Sequence, residues 1–315
     1  MSLDPQVEKV IGKMNSEPAM DTTSLEKARK AFASNRPPES EFIPIGKVED
    51  FTISYMDEVV LTRVYTPDGE GEFPALIFFH GGGFILGNLD MNDGLCRLIA
   101  KEAQCVVVSV DYRLAPEHKF PAAVNDSFAV VKWVHQNGDR LRIDTTRIAV
   151  GGQSAGGNLA VAMSYLAKEN NIPIVKQIVV YPMLDYNFQT PSQQKYATGY
   201  NLTSAQVEFY WENYLNSKED RNNPLACPLQ IEDVSGFPEA LVITAEYDPL
   251  TSDGEIYADR LKKAGVQVEY KCYAGMIHPF LSMWDKWDKG REAALQISSS
   301  LKRTFHKHNE NILNK

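Results

Sequence analysis

The sequence predicts an α/β protein in which a mostly parallel sheet carries helices on both faces. Two observations lead there. Short, dense apolar runs recur at 75–79, 105–110, 147–150, 177–181, 240–244 and 266–270, and the segments 90–103, 121–136, 157–168 and 252–264 between them are long enough for helices. A third observation fixes the kind of sheet. The runs read as continuous Val, Ile and Phe rather than alternating with polar residues, as strands buried on both faces require.

Taken in order, residues 1–45 read as two short helices. One follows Asp4-Pro5; the other is opened by a capping box, Thr23 with Glu26 three residues on, and stopped by Arg36-Pro37-Pro38. Segments 51–56 and 59–65 alternate apolar with polar around Asp57-Glu58, which predicts an antiparallel hairpin. The strand and helix alternation then runs to about residue 184. From 185 to 237 no buried-strand pattern appears. A polar loop there gives way to a helix near Thr203, where Thr203 and Gln206 form a second capping box. Val207, Tyr210, Trp211 and Tyr214 follow at i, i+3, i+4 and i+7, an aromatic face that either packs core or covers a pocket. An insertion between core strands beside a site is a common place for a lid. The expected division is therefore 1–45 as N-terminal cap helices, 46–184 and 221–315 as the two parts of a core, and 185–220 as an inserted cap. The stretch holding His306 and His308 reads as a charged tail.

A chain of 315 residues, 43% of them hydrophobic, can bury enough surface to need no metal or disulfide staple. Its net charge of −9 argues against nucleic acid or an anionic membrane as a partner. The N-terminus lacks the layout of a secretion signal, and no apolar run is long enough to cross a bilayer, so a cytoplasmic protein is expected. Scattered Cys96, Cys105, Cys227 and Cys272 fit buried reduced thiols, and in that compartment the Asn201-Leu202-Thr203 sequon carries no weight.

The chemistry gathers at the ends of the predicted strands. Gly152-Gln153-Ser154-Ala155-Gly156 follows one strand and precedes a helix, the setting in which G-x-S-x-G exposes a nucleophilic serine on a sharp turn. Its hydroxyl then sits at a helix N-terminus, where unpaired N–H groups favour developing negative charge. Serine needs a base. Of six histidines, His278 is the candidate, because it follows the last predicted strand and so lies at the same sheet edge. Asp248, in the turn after run 240–244, is the acid that would orient it; Asp253 is the nearest rival and is expected to begin the next helix. Ser154, Asp248 and His278 occur in the chain order of α/β-hydrolase triads. His80-Gly81-Gly82-Gly83-Phe84, just after run 75–79, supplies backbone donors, and the oxyanion hole is assigned to the N–H groups of Gly81, Gly82 and Ala155. Such chemistry requires no metal and no cofactor.

At these residues the chain resembles the hormone-sensitive-lipase-like family of α/β-hydrolase carboxylesterases. The resemblance rests on HGGGF, on Asp111-Tyr112-Arg113-Leu114-Ala115-Pro116-Glu117 with Phe120-Pro121-Ala122-Ala123, on the serine elbow, on Asp248-Pro249-Leu250 and on His278-Pro279-Phe280. It implies the α/β-hydrolase fold: eight mostly parallel strands, one of them antiparallel, flanked by helices, with a helical cap from the N-terminal segment and the insertion. It also implies a serine esterase for short- to medium-chain acyl esters, often dimeric through the last strand. Two departures stand out: Gln153 where the family usually has Asp, and Thr251-Ser252-Asp253 where Asp-Glu often follows Pro-Leu. The substrate pocket is expected to involve Phe84, Val207, Tyr210, Trp211 and Tyr214, and to accept acyl chains of about eight carbons or fewer. The alternatives are an amide or peptide hydrolase with the same triad and a non-catalytic small-molecule receptor. Plant hormone receptors similar to this family have lost the histidine that is present here.

Overall fold

The structure, a computed structural model, describes residues 2–16, 25–33 and 42–313. Thr23 and Arg36-Pro37-Pro38 lie outside the described residues. Helices α1 (Pro5–Asn15) and α2 (Leu25–Ala33) precede the hairpin of β1 (Lys47–Tyr55) and β2 (Glu58–Thr66). The remainder runs β3 (Phe73–Phe79), α3 (Asp93–Ala103), β4 (Val106–Asp111), α4 (Ala122–Asn137), β5 (Ile143–Gln153), α5 (Ala155–Glu169) and β6 (Ile174–Val180). After the insertion, with α6 (Pro191–Lys195) and α7 (Ser204–Tyr214), come β7 (Glu239–Tyr247), α8 (Thr251–Lys263), β8 (Val268–Ile277) and α9 (Asp288–Leu313).

The eight strands form one sheet in the order β1-β2-β4-β3-β5-β6-β7-β8. β2 pairs antiparallel with both β1 and β4, so it alone runs against the rest, as the resemblance implied. Neighbouring pairs from β4 to β8 are parallel, and Ile77 in β3 lies opposite both Val108 and Val150. Because side chains alternate across a strand, each run serves two faces. Ala75, Ile77 and Phe79 join the core built with Val130 and Val134 of α4 and Leu159 of α5, while Leu76 and Phe78 face Leu95 and Ile99 of α3 and Ile297 and Leu301 of α9. Tyr257 and Leu261 of α8 cover Val242 on the first of these faces, near the β7 end.

Two elements differ from expectation. The supposed charged tail is mostly α9, which buries Ala293, Ala294, Ile297, Leu301 and Phe305 at helical spacing. Its many charges hid a single apolar stripe. The last strand continues past residue 270 to Ile277, with Gly275 at φ +75° inside it.

The consequence for chemistry is geometric. With these strands parallel, the segments following the C-terminal ends of β3, β5, β6, β7 and β8 open on one rim. Those segments begin with His80, Ser154, Tyr181, Asp248 and His278.

Candidate active site

Ser154 sits between β5 and α5 with φ 57° and ψ −119°, a conformation costly for any L-residue and held here by its surroundings. Its N–H donates to the Val180 carbonyl (2.9 Å) and its carbonyl accepts from Asn158 N–H (3.1 Å). The flanking glycines are required by close approach. A Cβ on Gly152 would run into the Gly156 and Phe79 carbonyls, and one on Gly156 into the carbonyls of Phe79 and His80.

The three side chains widely separated in sequence meet. The Ser154 hydroxyl lies 3.1 Å from His278 Nε2, and His278 Nδ1 lies 2.8 Å from Asp248 Oδ2. Asp248 is fully buried and its other oxygen accepts the Leu250 N–H (2.8 Å). A carboxylate can only accept, so the proton sits on Nδ1 and Nε2 is left as the acceptor for serine. Asp253 stands apart from this arrangement. Its Oδ2 accepts the N–H groups of Leu184 (2.8 Å) and Asp185 (3.3 Å), and burial pushes its carboxyl up to about 8.

The glycine loop is aimed by His80. Burial pushes this imidazole down to about 4, so it stays neutral, and its Nδ1–H donates to the Gly81 carbonyl (2.7 Å). Tyr112 stacks on the ring (4.2 Å between centroids) and donates to the His80 carbonyl (2.8 Å). In a trans peptide, C=O and N–H point opposite ways, so the bond that holds the Gly81 carbonyl on His80 directs the Gly82 N–H to the opposite side. Gly81 N–H and Gly82 N–H meet no backbone or side-chain acceptor among the described residues, and Ala155 contributes an orphan N–H as the first residue of α5.

Ser154, His278, Gly81 and Gly82 line a cavity of about 520 Å³. Its other walls come from Met14 and Asn15 of α1, Gly83, Leu86 and Met91, Gln153, Tyr181, Thr198 and Gly199, Asn201 to Thr203, Gln206 and Tyr210 of α7, and Pro279 and Ser282. Among the described lining residues there is no Asp, Glu, Lys or Arg, and burial pushes the Tyr210 phenol up to about 12, so the cavity carries no fixed charge.

Of the five residues expected in the substrate pocket, only Tyr210 lines the cavity, its ring resting over Gly83. The other four are buried in core. Phe84 stacks flat on Tyr214 (3.7 Å, 5°), and Val207 and Trp211 belong to the same cluster. The capping box of Thr203 and Gln206 is present on α7 as expected.

A strap of amides joins α1 to His278. Asn15 Nδ2 donates to the Gly199 carbonyl (2.8 Å), Asn201 N–H to Asn15 Oδ1 (3.0 Å), and Asn201 Nδ2 to the His278 carbonyl (3.0 Å). Nothing in the local sequence signals this link, because its members come from three distant segments.

The alpha/beta hydrolase fold family matches residues 76–282, well over half of the chain and spanning all three side chains. This chain belongs to the α/β-hydrolase family. Similar to this hydrolase are an arylesterase of Saccharolobus solfataricus, 35% identical over 97% of this chain and 100% of that one, and the carboxylesterase NlhH of Mycobacterium tuberculosis, 35% identical over 91% of each. Among solved structures, an ester-hydrolase from the metagenome of Lake Arreo, complexed with a derivative of bipyridine phosphonate, superposes with TM-score 0.91. It is 33% identical and covers 96% of this hydrolase and 99% of its own chain. The hyperthermophilic esterase of Pyrobaculum calidifontis superposes with TM-score 0.87 at 38% identity, over 96% and 99%. These four relatives are esterases by name, in keeping with the resemblance. Among the described residues no helix is long and apolar enough to cross a membrane, and no cluster of three potential metal ligands occurs.

Proposed function

We propose that this hydrolase is a serine carboxylesterase for uncharged short- to medium-chain acyl esters. The observation that carries the reading is the continuous hydrogen-bonded row Ser154–His278–Asp248 facing the Gly81-Gly82 loop. In this reading Ser154 Oγ attacks the ester carbonyl carbon while His278 Nε2 takes its proton. Asp248 stabilises the imidazolium that results, and the N–H groups of Gly81, Gly82 and Ala155 receive the negative charge on oxygen. His278 then gives the proton to the departing alkoxide, leaving an acyl-serine. Water, deprotonated by the same imidazole, releases the acid and frees the serine. The esterase relatives support this reading, and the charge-free cavity supports a neutral substrate. The receptor alternative calls for a scaffold without its base, and here the imidazole is within reach of the serine.

Ser154→Ala should abolish the acylation burst and labelling by a serine-directed phosphonate while leaving the melting temperature near that of the parent. Turnover that survives the substitution would discredit the assignment. Across p-nitrophenyl esters, rates should fall beyond about eight acyl carbons, in keeping with a cavity of a few hundred cubic ångströms. Rates climbing steadily toward palmitate would overturn the chain-length preference.

A further inference from the structure

A second, uncharged hydrogen-bond chain runs alongside the Ser154–His278 pair. Gln153, the residue before the serine, is almost fully buried. Its Nε2 donates to Asn92 Oδ1 (2.7 Å) and its Oε1 accepts the Tyr181 hydroxyl (2.5 Å). Tyr181 is completely buried at φ +33°, and its ring stands edge-on to the His278 imidazole, with centroids 4.6 Å apart and planes at 61°. Phe280 braces the same ring (5.7 Å, 63°).

We propose that Gln153 and Tyr181 are positioning residues that hold the imidazole of His278 in the plane that aims Nε2 at Ser154. The inference rests on the serine-esterase reading. The Cβ–Cγ bond and the hydrogen bond from Nδ1 to Asp248 hold one side of the imidazole and leave a soft torsion about Cβ–Cγ that swings Nε2. A buried ring against its flank removes that freedom. Tyr181 can do so only if its far end is pinned; the Gln153 amide accepts from its hydroxyl, with Ser282 and the Leu281 backbone close beside it. That amide is in turn held by Asn92, from the segment that follows the glycine loop. The elbow, the start of α3 and His278 thus share one brace. A neutral amide suits the place. The charged or titratable groups around it are Asp248 with Asp253 behind it, His80, Tyr181 itself and Asp93 next to Asn92. Burial keeps His80 and Tyr181 uncharged. Asp248 is therefore the anion in direct contact with the imidazole, and the brace adds no second negative charge to compete for the same proton.

The test is a double-mutant cycle of Tyr181→Phe and Gln153→Met with p-nitrophenyl butyrate, together with the downfield proton resonance of the His278 Nδ1–H. Each single substitution should lower kcat about 10- to 100-fold at nearly constant KM, because a misaimed base costs rate rather than binding. The double variant should be no worse than the poorer single one, since both remove the same brace. The resonance should shift or broaden in all three. A raised KM at unchanged kcat would make Tyr181 a mere pocket wall and overturn the proposal. So would losses that multiply, or an unaltered resonance. If Gln153→Met fails to fold, Tyr181→Phe and its resonance decide alone. Phosphonate labelling of Ser154 and turnover by His278→Ala, measured in parallel, separate the two failures. Unlabelled Ser154 or full turnover without the imidazole defeats the esterase reading, whereas a silent Tyr181→Phe in an otherwise normal enzyme defeats only the brace.

Discussion

Asp248→Asn isolates the contribution of one buried charge. The carboxylate lies 2.8 Å from His278 Nδ1 and is fully buried, so little water screens it from the imidazolium that forms during acylation. For charge centres about 4 Å apart at an effective dielectric of about 20, the attraction is about 4 kcal/mol, or about three orders of magnitude in rate. The amide has a second effect. Its carbonyl side can still accept from Nδ1–H, but its NH2 side donates to a bare Nδ1, moving the proton to Nε2 and leaving serine without an acceptor. The combined loss in kcat should be about 10³- to 10⁴-fold, with a residue of activity from the oxyanion donors. The assay is steady-state hydrolysis of p-nitrophenyl butyrate alongside the burst amplitude, with thermal melting to verify the fold. A loss below tenfold would refute the electrostatic argument, and a larger loss from Asp253→Asn would show that the acid has been misplaced.

Asp253→Asn should in fact leave turnover nearly intact and change how stability depends on pH. An acid raised to about 8 in the fold, against an ordinary value near 4, keeps its proton in the native state and loses it in the unfolded one. Its contribution is full below the ordinary value and lost as pH rises through about 8. Melting from pH 5 to 9 should therefore fall less steeply for the variant; parallel curves would count against a protonated Asp253. Trp211→Ala should cost about 3–5 kcal/mol of stability as a buried aromatic deletion, whereas Tyr210→Ala should mainly alter the acyl-length profile; chemical denaturation and the ester series distinguish them. The reverse result would return Trp211 to the pocket.

Ser154, His278 and Asp248 were legible as candidates because each rides on a short local pattern at a strand end, and a parallel sheet brings strand ends together, here into one hydrogen-bonded row. The pocket was not. Helical spacing at Val207, Tyr210, Trp211 and Tyr214 says that a face is covered but not what covers it. Three of the four meet Phe84 and its neighbours, and Tyr210, toward the edge of that face, turns to the cavity. Met14, Met91 and Asn201 line the same space from segments with no common pattern, so only their folding together reveals them. Gln153 stood out as a departure from the family's usual Asp, but its partners Asn92 and Tyr181 are 61 and 28 residues away. The apolar stripe of α9 was diluted by charges on its solvent face. β8 outran its apolar signal because its far end, through Gly275 to Ile277, is set by pairing with β7 and by the Asp4 N–H, which donates to the Gly275 carbonyl.

The amide of Asn201 has practical weight for anyone producing this enzyme. Within Asn-Leu-Thr it is the nitrogen to which a eukaryotic secretory route attaches oligosaccharide. In the folded chain that nitrogen already donates to the His278 carbonyl, and Asn201 lines the cavity beside Ser154. Sugar placed there before folding would cost the enzyme that tether and leave a bulky branch against its own cavity, so a host that does not glycosylate is the better source of active material.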